Sequence, residues 1–185
     1  MKKIIVAFGL MTVSMVAAAD SYTLDPAHTY PNFTISHLGF STMHGRFNKT
    51  TGKMTMDRAK GTGSVEVVID VASVDTGFEK RNDHLRSPDF FNAAEFPEIT
   101  FKSTKVAFQG DSAVVTGDLT IKGVTKSVNL DVTSIVCGTH PFNKKDMCGF
   151  DASTTIKRSD FGVKYGLPAI GDEVAIQFEV EAVKN

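Results

Sequence analysis

The feature that most constrains the fold is an alternation of apolar and polar side chains that returns repeatedly along the chain. Val128, Leu130 and Val132 are interleaved with Asn129, Asp131 and Thr133 between Ser127 and Thr133. Between Glu173 and Val180, Val174, Ile176, Phe178 and Val180 alternate with Glu173, Ala175, Gln177 and Glu179. Successive side chains of a strand point to opposite faces, so this period of two marks a strand with one dry face and one wet one. Six further segments have strand character: Asn32 to Ser36, Arg46 to Met56, Ser64 to Val71, Ile99 to Phe108, Ala113 to Ile121 and Phe150 to Lys157. Gly- or Asp-bearing turns such as Gly110-Asp111 and Lys122-Gly123 separate them. Eight short strands joined mostly by short turns predict an all-β antiparallel barrel or sandwich, and strand order alone does not choose between the two.

One stretch interrupts the strands. Thr76-Gly77-Phe78-Glu79 matches a capping box, and Phe78 and Leu85 share one helical face against polar Lys80, Arg81, Asp83 and Arg86. The pattern predicts a short helix from Phe78 to Leu85, stopped by Ser87-Pro88, with a further turn carrying Phe90 and Phe91. A helical insertion between Val71 and Ile99 is placed either to frame a ligand portal at one barrel end or to plug it.

The chain has 185 residues, the size of one domain once its start is set aside. Lys2 and Lys3, an apolar run from Ile4 to Val16, and Ala17-Ala18-Ala19 before Asp20 have the order of a cleaved secretory signal. The expected division is therefore a leader at 1–19 and one domain at 20–185, exported to the periplasm. The apolar run falls short of the roughly 20 residues a spanning helix needs, so no stable membrane anchor is expected. A formal net charge of −1, more negative once Lys2 and Lys3 are removed, argues against a nucleic-acid partner. Cys137 and Cys148 are the only cysteines, and in an exported chain the expectation is a disulfide between them.

Catalytic signatures are sparse. His28, His37, His44, His84 and His140 show none of the spacings that bring ligands onto one metal, and no metal or other cofactor is expected. There is no GxSxG elbow, and Gly61-Thr62-Gly63-Ser64 lacks the spaced Gly-Lys-Ser/Thr of a phosphate loop. The apolar inventory says more: 14 Phe and no Trp, several of them falling near the first strands and the insertion. Phe builds large apolar walls with no polar atom to satisfy, which suits either a packed core or the wall of a lumen.

Six ordered stretches carry a resemblance to a known family. They are Leu24-Asp25-Pro26-Ala27-His28-Thr29, the run from His37 to Phe47, the run from Arg81 to Phe91, Phe96 to Phe101, Thr116 to Thr125, and Arg158-Ser159-Asp160-Phe161-Gly162. Together they make the chain, from about Tyr22 to Ala182, similar to the YceI-like bacterial periplasmic proteins. The resemblance implies an eight-stranded antiparallel lipocalin-like β-barrel with a short helical insertion. It also implies a lumen for a long amphiphile, a polyisoprenoid or a fatty-acid derivative, and no shared catalytic reaction. Tyr22 stands where many members place Trp, and the Cys137–Cys148 loop is an addition that only some members share.

The expected function is reversible capture of a hydrophobic or lipid ligand without enzymatic chemistry. Phe33, Ile35, Phe40, Phe90, Phe91 and Phe101 are the expected apolar lining. Arg81, Asn82 and His84 are the expected head-group contacts, since a guanidinium and an imidazole suit phosphate or carbonyl oxygens. An enzyme acting on a lumenal amphiphile, or a packed barrel that binds a protein partner, are the alternatives. The sequence leaves oligomeric state, homodimer included, open.

Overall fold

A computed structural model describes residues 19–185. The expected leader at 1–19 thus lies, but for its last residue, outside the described residues. The strands are β1 (Asp20–Leu24), β2 (Tyr30–His37), β3 (Ser41–Phe47), β4 (Thr50–Asp57), β5 (Thr62–Asp70), β6 (Val74–Asp75), β7 (Glu98–Gln109), β8 (Ser112–Ile121), β9 (Val124–Thr139), β10 (Asp146–Lys157) and β11 (Ile170–Lys184). Among the described residues one α-helix, α1 (Glu79–Arg86), follows β6, and short 3-10 turns cover Val71–Ser73 and Arg158–Phe161.

Eleven segments make eight barrel strands because three strands are composite. β1 and β2 lie end to end along β11, pairing with Ala182 to Lys184 and with Ile170 to Glu179 respectively. β3 runs on into β4 through Asn48 and Lys49, whose backbone groups bond to Ser73 and Asp70. β5 likewise continues into β6 through the 3-10 turn, so that β3 meets β6 and β4 meets β5. β7 to β11 then follow in order, every pair antiparallel, and β11 closes the ring against β1 and β2. The choice between barrel and sandwich is settled as an eight-stranded closed barrel.

The helix starts one residue later than the pattern predicts, and the capping box does not form. Phe78 is the N-cap and makes no side-chain cap bond. The Thr76 hydroxyl instead donates to Asn82 Oδ1 at 2.6 Å and accepts from Arg81 Nε at 2.8 Å. Cys137 and Cys148 face each other across β9 and β10 and are joined by the expected disulfide.

The barrel has two distinct ends. One gathers the β2–β3 turn, α1 with the segment to Pro97, the β8–β9 turn and the 162–169 loop. Contacts knit them together: Lys122 Nζ donates to the Pro88 carbonyl, and the Leu38 amide to that of Ala169. The other end carries the start of β1 and the end of β11, the β4–β5 and β7–β8 turns and the β9–β10 hairpin, and is filled by buried Tyr22, Met56, Ala113, Ile135, Cys148 and Ala182.

Candidate functional site

The lumen is hollow. Val128, Leu130, Val174 and Ile176 point inward from β9 and β11, yet each is only partly buried. They face open space instead of packed atoms. A cavity of about 390 Å³ runs down the barrel and is lined overwhelmingly by apolar side chains. Close backbone approach helps to shape its wall: a Cβ on Gly45 would sit 2.3 Å from Cζ of Phe33, so the glycine makes room for that ring. Phe101 lies across Gly117 in the same way, at 2.4 Å.

Of the expected apolar residues, Phe33, Ile35, Phe90, Phe91 and Phe101 line the cavity. Phe40 does not. The β2–β3 turn places Leu38 at φ 55° and Gly39 at φ 73°, reversing the chain just before Phe40 and leaving that residue 90% exposed at the tip.

The three polar candidates divide similarly. Arg81 and His84 line the cavity at the helix end. Arg81 is half engaged, its Nε and Nη2 bonding to the hydroxyl and carbonyl of Thr76. His84 stands edge-on to Phe90 and Tyr165, both at 5.0 Å between ring centroids, with its Nε2 3.0 Å from Asp89. Asn82 is withdrawn from the lumen: it is buried, accepts from the amide and hydroxyl of Thr76, and its Nδ2 donates to Glu79. Its amide ties the incoming chain to the helix in place of a cap.

Arg158 is the lining residue that spacing gave no reason to select. Its guanidinium is buried and donates to the carbonyls of Gly171 (2.7 Å), Val163, Tyr165 and Ile170 (each 3.0 Å). Burial pushes its pKa down, and the nearby Asp172 carboxylate opposes that shift. Four carbonyls, two from the 162–169 loop and two from the start of β11, thus converge on a single cation, fixing a wall of the mouth. Phe47, Phe108, Phe150 and Phe178 also line the lumen; the alternation of their strands was the available signal.

Among the described residues, Asp25, His28 and Glu181 form a constellation that sequence spacing hides, at the end away from the helix. His28 Nδ1 lies 2.8 Å from Asp25 and 3.8 Å from Glu181. The hydrogen bond from His28, then that from the Ala27 amide, holds Asp25 below its ordinary range, and Asp25 in turn raises His28. The group fastens the β1–β2 loop to β11.

A closed antiparallel barrel, hollow, apolar inside and framed at one end by a helix, defines a lipocalin-like barrel. The chain belongs to the YceI-like domain family, whose model matches residues 22–182. It is 40% identical over 179 residues to Protein YceI of Escherichia coli O157:H7, covering 95% of this chain and 93% of that protein. BcnA of Burkholderia cenocepacia superposes with a TM-score of 0.76 at 32% identity, over 85% of this chain and 98% of that one. A Saccharophagus degradans domain, described as polyisoprenoid-binding and implicated in plant cell wall breakdown, shares the fold, with a TM-score of 0.64 at 21% identity over 89% of this chain and 98% of that one.

Proposed function

We propose that the protein captures a long-chain amphiphile, a polyisoprenoid or fatty-acid-like lipid, with its chain in the lumen and its head at the helix end. The hollow apolar interior carries this reading, because inward-facing aliphatic side chains left partly bare gain free energy when a hydrocarbon covers them. Ligand pockets span roughly 300–1,000 Å³, and a cavity of about 390 Å³ takes a bent chain or one section of a long one. Arg81 and His84 are the head-group contacts in this reading. Capture needs no covalent step, and Arg158, engaged with four carbonyls, suits holding a loop better than moving a proton. In this reading the capture takes place in the periplasm.

The test is to purify the mature protein from its natural compartment without detergent, extract it with organic solvent and identify the co-purifying lipid by mass spectrometry. A stoichiometric long-chain amphiphile is the expected result. Recovery of none, with added prenyl and acyl chains also failing to bind, overturns the reading.

A further inference from the structure

The end of the barrel framed by α1 exposes apolar side chains on three adjoining elements. Phe40 and Leu38, 49% exposed, stand on the β2–β3 turn; Phe78, 54% exposed, precedes α1; and Tyr165, 48% exposed, rises from the 162–169 loop. These elements meet at the mouth. The Leu38 amide bonds to Ala169, Tyr165 packs on His84, and Arg81 stacks 5.8 Å from the Phe78 ring. Tyr165, His84 and Arg81 also line the cavity, so the apolar rim and the lumen are continuous.

Charges of both signs stand at this end, exposed Glu95 and Asp160 among them, but cations lie next to the apolar tips. The carboxylates of α1, Glu79 and Asp83, are both engaged by Arg86, and Asp89 lies against His84. Lys80 and Lys164, beside Phe78 and Tyr165 in the chain, are exposed and make no ion pair among the described residues. Separate aromatic knobs on turn tips, two of them with a lysine close by in the chain, suit insertion into a soft headgroup layer; a protein partner calls for a contiguous, shape-matched patch.

We propose that this end of the barrel docks on the surface of an anionic lipid bilayer, the three turn tips entering the interface with Lys80 and Lys164 against lipid phosphates. The proposal rests on the lipid-capture reading, since docking there sets the mouth of the lumen against the phase that holds the ligand. The opposite end supplies an internal control: Phe142 is exposed to a similar degree, at 88%, but it sits against His140 on the β9–β10 hairpin, away from the mouth.

Flotation of the mature protein with vesicles of phosphatidylethanolamine and phosphatidylglycerol tests it, beside phosphatidylcholine vesicles and binding of a fluorescent acyl probe in vesicle-free buffer. The expected result is flotation with the anionic vesicles, reduced about tenfold or more by F40S/F78S and unchanged by F142S. Neither Phe40 nor Phe78 lines the cavity, so the double variant keeps its acyl-probe affinity. Failure of the unaltered protein to float, or an equal loss in F142S, overturns the proposal. So does a rim that holds two copies together, read as a dimer that F40S/F78S converts to a monomer without any vesicle binding. Loss of probe binding with flotation intact sinks the capture reading and leaves docking standing; probe binding without flotation does the reverse.

Discussion

Arg158 donates from Nη1 to the carbonyl of Tyr165 at 3.0 Å, so a buried cation holds in place the residue whose ring forms part of the mouth. Three more carbonyls from the same loop and the start of β11 share that guanidinium. Replacing it strands several buried acceptors at once. R158M should therefore cost about 3 kcal/mol or more, and R158K nearly as much, because an ammonium has three donors and no planar fork. Urea unfolding checks the magnitude, and hydrogen exchange confined to 162–171 checks the place.

Filling the lumen should separate affinity from stability. Val128 and Ile176 both line the cavity, so V128F/I176F occupies volume that an acyl chain needs without displacing packed atoms. Affinity for a long-chain probe should fall about tenfold or more, equivalent to roughly 1.4 kcal/mol. The thermal midpoint should hold or rise, since new apolar surface is covered; a drop in midpoint matching the drop in affinity would contradict a hollow interior.

Thr50, where the composite strand β3–β4 bends, is buried, and its Oγ1 has no hydrogen-bond partner among the described residues. A buried unpaired hydroxyl costs free energy that an isosteric methyl does not. T50V should stabilise the protein by about 1 kcal/mol in chemical denaturation, against the usual direction for a core substitution.

The disulfide lies on the hairpin at the end away from α1, and neither cysteine lines the cavity. C137S/C148S should lose about 2–4 kcal/mol of stability and keep the same lipid profile by mass spectrometry. A changed profile would give the bridged loop a part in ligand choice.

The Asp25–His28 contact sets a pH window. His28 is raised above its ordinary 6.5, so its contribution is fully present below that value and is lost as pH rises through the folded one. Asp25 is lowered from 3.8, so its contribution is present above that value and is lost as pH falls through the folded one. The gap in thermal midpoint between the unaltered protein and H28Q should be widest between those two ordinary values and shrink on either side. In D25N, the His28 titration followed by NMR should move back down toward 6.5.

The strands that turned out to be legible are those with an uninterrupted inner face. Val128, Leu130 and Val132 fall in β9 as alternation requires, as does Val174 to Val180 in β11. β9 runs past its pattern to Thr139; a register shift near Asp151 reverses the alternation beyond Thr133, burying Ile135 and leaving Val136 exposed. β1 and most of β3 were missed: they are short, and in β3 Gly45 takes a position where a wall residue would have shown the period.

Within the site, Phe33 and Phe101 face inward from β2 and β7, whereas Phe40 does not line the cavity, since Leu38 and Gly39 reverse the chain just before it. Asn82 is a head-group candidate by its place on the inserted helix with Arg81 and His84, yet the Thr76 amide and hydroxyl hold its side chain away from the lumen. Arg158 belongs to the stretch that carried the family resemblance, but its role depends on carbonyls from five to thirteen residues away, and no local period encodes such a convergence.

The register that closes the barrel has a bearing on how it forms. β1 reaches β11 through only three residue pairs, Tyr22 with Lys184, Thr23 with Val183 and Leu24 with Ala182, and β2 pairs with that same last strand. The first and last strands are therefore each other's neighbours, and the ring cannot shut until nearly the whole chain is present. A chain emerging N-terminus first remains an unclosed sheet, with β2 and its inward Phe33 and Ile35 waiting at a bare edge, until β11 arrives. Such long-range closure is slow and exposes that edge to mispairing, which makes the docking of β11 the step on which assembly turns.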